Sequence, residues 1–270
     1  MITSHEIHTR SESFMKLRPF ALATALASLG LALPAAAHFL EILPQADVLP
    51  EGGDVRLDLT FTHPFEGGPV MQMERPAAVG VLHGGEKTDL GGALTEAPQE
   101  GAMAWRLTHA LDTPGAAVFW VAPHPYWEPA EGAFIAHYAK VVVDSYATGE
   151  GWDAMVGLPV EIAPLTRPTG IWAGNLFSGV VTKAGEPVPF AEVEVEFVND
   201  GRLDAPNEAF VTQVIKADAN GSFHYAMAFP GWWGFAALLE ADDPMTSPEG
   251  EAVPVEEGAL IWVHAQGAGN

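Results

Sequence analysis

Ala35-Ala36-Ala37-His38-Phe39 places a histidine directly behind three small residues that close an apolar run. A signal peptidase cutting after Ala37 makes His38 the first residue of the mature chain. Its free amine, with an unperturbed pKa of about 7.7–8.0, and its ring nitrogen then chelate one transition metal. An amine and a neutral imidazole are borderline donors suited to nickel, copper, cobalt or zinc. Further donors for the same ion are His63 in Thr-His-Pro-Phe, His124 in Pro-His-Pro-Tyr, and His137. Glu128 and Glu131 lie between the last two, in Tyr-Trp-Glu-Pro-Ala-Glu, and can supply a carboxylate. Each of these histidines alone reads as a surface or hydrogen-bonded residue. The metal reading requires that His63, His124 and His137 share one pole of a fold with the N-terminus. A set rich in nitrogen suits nickel or copper better than calcium or magnesium, which prefer oxygen. Because every such ligand must lose or lack a proton, affinity falls as pH drops through about 6.

The elements that must position these residues read as short strands. Residues 54–62 (DVRLDLTFT) alternate polar and apolar, with Val55, Leu57, Leu59 and Phe61 toward a core. Pro64 stops that strand just after His63. Residues 78–83, 103–108 and 116–122 are further strands, and 134–144 is the longest. Turn signals at Gly84-Gly85 and Thr113-Pro114-Gly115 separate them. No stretch keeps a helical period over a useful length, so the expected class is all-β.

The expected division is a leader and signal peptide at 1–37, a metal-binding β-sandwich at 38–165, a connection at 166–174 rich in proline and glycine, and a second β-sandwich at 175–270. In the last, residues 191–198 (AEVEVEFV) alternate Val193, Val195 and Phe197 inward against Glu192, Glu194 and Glu196 outward. Asn220-Gly221 supplies a tight hairpin turn. The order "G-V-V … G-x-P-V-P-x-A-x-V … D-A-N-G-S-F" resembles the transthyretin-like or carboxypeptidase-regulatory-like sandwich, a fold analogy that assigns no chemistry.

Lys16 and Arg18 before the apolar stretch 20–33 complete the signal-peptide pattern, so the expected location is periplasmic. Residues 1–14 look like a leader ahead of Met15, and His5 and His8 leave with it. The formal charge of −23 leaves no basic patch to displace counterions from nucleic acid, and it attracts cations at long range. With no cysteine there is no disulfide, zinc-thiolate site or catalytic thiol. Gly-x-Ser-x-Gly, His-Glu-x-x-His and a phosphate-binding glycine loop are all absent from the sequence, so no enzyme activity is expected. Glu256-Glu257 and Asp242-Asp243 read as solvated turn residues. His83, His109, His224 and His264 read as incidental, and Trp232-Trp233 as a packed corner.

The chain is similar to the periplasmic nickel/cobalt-binding proteins (NikK-type) encoded with energy-coupling-factor nickel transporters, a group long filed as a domain of unknown function. The matching stretches are Ala-His-Phe at the cleavage site, Phe61-Thr62-His63-Pro64-Phe65 and residues 123–140 (PHPYWEPAEGAFIAHYAK). Gly151-Trp152-Asp153, residues 157–165 (GLPVEIAPL), residues 174–179 (GNLFSG) and the 185–195 segment extend the likeness over nearly the whole mature chain. The resemblance implies capture of a divalent nickel or cobalt ion outside the cytoplasm and its delivery to an energy-coupling-factor type transporter. The ligand set His38, His63, His124 and His137 with Glu128 or Glu131 comes from chemistry and position. Two other expectations stand beside it: a histidine-brace copper protein or oxidative enzyme built on the His38 amine, and a metal-free carbohydrate-binding or adhesion module using Trp127 or Trp232-Trp233.

Overall fold

The computed structural model describes Met1 and residues 38–268. The expected leader, signal segment and cleavage point at 1–37 lie outside the described residues. The chain is all-β, a sandwich-like stack of sheets. Among the described residues there is no α-helix, and no helix long and apolar enough to cross a membrane.

The principal strands begin with β1 (Phe39–Pro44), β2 (Gly53–Thr62), β3 (Ala78–His83), β4 (Glu86–Asp89) and β5 (Trp105–Leu111). They continue with β6 (Gly115–Ala122), β7 (Tyr126–Glu128), β8 (Ala133–Ser145), β9 (Val160–Pro164) and β10 (Leu176–Lys183). The last five are β11 (Glu192–Phe197), β12 (Gln213–Lys216), β13 (Ser222–Ala226), β14 (Gly231–Glu240) and β15 (Val255–Gln266).

One sheet carries strands from both halves of the chain, in the order β12-β11-β14-β15-β8-β6-β3-β4. Its middle is a parallel pairing of β8 with β15, from Phe134 opposite Val255 to Val141 opposite Trp262. A second sheet, centred on β1, β2 and β5, covers part of one face. A third, of β9, β10 and β13, covers part of the other.

Alternation along β15 shows how one strand serves two cores. Leu260 and Trp262 enter the first core with Phe39, Leu57, Leu59, Leu107, Phe119 and Val141. Ala259, Ile261 and Val263 enter the second core with Phe177, Val193, Phe223 and Phe235. A strand covered on both faces reads as a nearly continuous apolar run rather than an alternating one, as ALIWV does in β15. The Trp262 indole N–H donates to the Leu40 carbonyl at 2.9 Å, tying β15 to the start of the described chain.

The same two-sided cover alters one sequence expectation. The glutamates of β11 face away from the second core, but only Glu192 stays exposed. Glu196 is 1% exposed. It accepts the Phe65 amide N–H at 3.3 Å and the Thr212 hydroxyl. Period two gives the side of a strand, while the segment after His63 that folds over β11 is a long-range event.

Candidate metal centre

Two of the candidate residues, His63 and His137, continue the inward row of a strand one step past the apolar core. In β2 the row Val55, Leu57, Leu59 and Phe61 is buried, and His63 is the next position of that alternation. In β8, Ala139, Val141 and Val143 line the first core, and His137 precedes them on the same side. In β15, Gly258 and Glu256 precede Leu260 and Trp262 in the same way. His38 stands immediately before β1, whose Phe39 pairs with Thr62. The end of the first core is thus capped by imidazoles and carboxylates from strands remote in sequence.

Phe61 is the hub of this cap. Its ring centroid is 5.5 Å from that of His38, 6.0 Å from His137 and 5.9 Å from Tyr126. The His38 and His63 rings are 4.5 Å apart. Burial, then the neighbouring His63, holds the His38 imidazole below its ordinary 6.5, while Glu128 and Glu256 act the other way. The ring is therefore kept in the neutral form that ligates metal.

His137 is only 4% exposed. Its Nε2 is 3.2 Å from Glu256 Oε1. Its Nδ1 is buried and finds no hydrogen-bond partner among the described residues. With Nε2–H assigned as donor to the carboxylate, Nδ1 carries a free lone pair. Gly258 sits opposite His137 in the β8–β15 ladder, and a Cβ there would collide with the ring.

The hairpin of β7 and β8 brings the two glutamates. Glu128 pairs with Ala133, and its carboxylate accepts the Ala130 amide N–H at 3.0 Å. Glu131 lies in the turn; burial, then Glu256 and Glu128, raises its carboxyl above the ordinary 4.5, opposed by His137. Glu194 of β11 is pushed up to about 7 by burial, with Glu256 and Glu131 adding to it.

His38 lies against His63 and feels the charges of Glu128 and His137, while Glu131 feels those of Glu128 and His137. His124 is exposed and lines, together with Phe61, Tyr126, Trp127 and His137, a cavity of about 380 Å³. Among the described residues, no three His, Cys, Asp or Glu side chains already meet at metal-holding distance. Sequence reasoning missed Glu256. Glu256-Glu257 was expected in a solvated turn, whereas both residues belong to β15. The available signal was the apolar run directly after Gly258. His224 lies 2.7 Å from Ser178 and His264 lies 3.5 Å from Asp47. Trp233 is buried, with its N–H on the Phe229 carbonyl, as a packed corner requires.

The fold and this cap define an all-β sandwich protein with a cluster of histidines and carboxylates at one end of its first core. The chain belongs to the family described as a domain of unknown function (DUF4198), which it matches over residues 35–241. No curated protein matches it. Among solved structures it is similar to native E. coli alpha-2-macroglobulin, at 12% identity over 85% of this chain and 14% of that one, with a TM-score of 0.25. A Salmonella alpha-2-macroglobulin mutant matches at 14% identity over 88% of this chain and 15% of that one, TM-score 0.27. A bacterial ice-binding adhesin matches at 10% identity over 84% and 65%, TM-score 0.23.

Proposed function

We propose that the mature chain is an extracytoplasmic carrier of a divalent transition-metal ion, nickel or cobalt, which it passes to a membrane transporter of the energy-coupling-factor type. His38, His63 and His137 bind the ion, with a carboxylate from Glu128 or Glu131. The observation that carries this reading is His137: one ring nitrogen is held by Glu256 and the other is buried with an unused lone pair. A carboxylate behind a ligating imidazole fixes its tautomer and raises its basicity, which is the arrangement metal-binding histidines need. The His38 ring, kept neutral beside His63, supplies a second donor. Export and cleavage after Ala37 would add the His38 amine. The role is capture and release rather than catalysis.

The test is calorimetric titration of nickel into the chain beginning at His38, in wild type and in His63→Ala and His137→Ala. One ion bound per chain, with each variant weakened at least tenfold, supports the reading. Unchanged affinity in both variants refutes it. A second reading, a copper histidine brace, draws on the 4.5 Å approach of His38 and His63. It requires oxidase activity with copper and a reductant, which the carrier reading does not.

A further inference from the structure

The cavity that Phe61 and His137 line has, at about 380 Å³, the size of a small-molecule site. Four aromatic rings contribute to its lining: Phe61, Tyr126, Trp127 and Phe134. They come as two pairs. Phe61 and Tyr126 meet edge to face at 5.9 Å, and Trp127 and Phe134 are tilted by 53° at 5.1 Å. Neither pair is stacked face to face, so ring faces are left for a third group. An aromatic face carries negative potential and attracts a cation placed over it.

Glu74 adds a carboxylate to the same lining. Its place is set through Met73, which is buried. The Met73 amide N–H donates to the Met103 carbonyl at 3.0 Å, and the Met73 carbonyl accepts the Trp105 indole N–H at 3.2 Å. Arg75, next along the chain, turns elsewhere. Its guanidinium lies over the Trp105 ring and donates to the Gly91 carbonyl at 2.7 Å. Among the described residues, no lysine or arginine lines the cavity. An anion would meet Glu74 without a cationic partner, in a chain of net charge −23.

The lining also selects among cations. A primary ammonium brings three N–H donors, each of which needs an acceptor once water is stripped away. The side-chain oxygen of Gln72 already accepts the Met103 amide N–H at 2.9 Å. A quaternary ammonium has no donor to satisfy, and its methyl groups pack against ring faces.

We propose that the cavity binds a small, freely dissolved quaternary ammonium cation, with its methyl groups on the aromatic rings and its charge toward Glu74. Such binding needs no metal and is independent of the carrier reading.

The test is calorimetric titration of choline into the chain beginning at His38, with a chelator present to exclude metal. A parallel titration uses 3,3-dimethylbutan-1-ol, which has the same shape with carbon in place of the charged nitrogen. The expected result is one choline bound per chain, with the neutral alcohol weaker by about tenfold or more. Trp127→Leu and Tyr126→Leu should each weaken choline by about tenfold, and Glu74→Gln by about threefold. Tyr126 and Glu74 are exposed, so their variants keep the test valid if the Trp127 variant fails to fold. No heat of binding up to about 10 mM choline overturns the proposal. So does equal affinity for the neutral alcohol, or choline binding unchanged in the folded Tyr126 and Glu74 variants. Sedimentation of the chain with phosphatidylcholine vesicles, undiminished by free choline, overturns the choice of a dissolved ligand.

Discussion

The His38 and His63 rings lie with centroids 4.5 Å apart and planes tilted by 44°. Two imidazoles this close disfavour each other's protonated form, and burial at the end of the core adds to the effect. In the metal-free protein the His38 ring should titrate below the ordinary 6.5, as followed by NMR of the imidazole protons. Replacing His63 with alanine removes one of the three causes, burial, His63 and His137, and should move the His38 midpoint upward. A midpoint that stays put, or moves down, would show that the two rings do not interact in solution.

Glu256 and Gly258 prepare His137 by different means, and their variants should separate. Glu256→Gln keeps the shape but loses the charge behind the ring, and should weaken nickel binding by about 10- to 100-fold with little loss of stability. Gly258→Ala drives a methyl group into the imidazole and should lower the melting temperature as well. Thermal melts and titrations on the same samples distinguish the two. Equal melting losses would assign Glu256 to packing alone.

Lys140 and Glu161 form a buried pair at 2.7 Å, 1% and 2% exposed. Glu161 also accepts the amide N–H groups of Val156, Gly157 and Leu158, so one carboxylate holds the loop before β9 and neutralises a lysine of β8. Removing either partner leaves an uncompensated buried charge. Lys140→Met or Glu161→Gln should cost about 3–5 kcal/mol in urea unfolding. The double variant should cost less than the sum of the two. Additive losses would mean that the two groups act independently.

Glu41 and Glu196 should make stability fall as pH rises. Burial pushes each carboxyl up to about 7, against hydrogen bonds from Thr60 to Glu41 and from Thr212 and Phe65 to Glu196. The folded chain then binds these protons more tightly than the unfolded chain, whose carboxyls keep the ordinary 4.5. Between pH 4.5 and about 7 folding takes up protons, so the destabilisation grows across that window and is complete above it. Each group contributes at most about 1.4 kcal/mol per pH unit. His38 acts in the opposite direction below 6.5, so the informative quantity is wild type minus variant. Glu41→Gln and Glu196→Gln should each gain on the wild type as pH rises from 5 to 8. A difference that does not vary with pH would show these carboxyls to be ionised throughout.

The half of the site that lies on alternating strands was legible in the sequence. Phe61 and His63 follow from the period-two row of β2, and His137 from the long strand β8. Glu256 was not legible, because its partnership with His137 depends on the parallel pairing of β8 with β15, a contact between residues 119 positions apart. Nothing local in Pro-Val-Glu-Glu-Gly announces that pairing. His124 illustrates the converse. The prolines on either side fix its backbone but not its direction, and the ring lines the cavity that His137 and Phe61 also line. The strands β1 and β9 also escaped notice, since both are short apolar runs without alternation.

The most direct measurement titrates nickel into two chains that differ only at the start, one beginning at His38 and one carrying a single extra residue before it. The account predicts one ion per chain in the first and at least a tenfold loss of affinity in the second, where the His38 nitrogen is an amide and no longer a donor. Equal affinity in the two chains would contradict it.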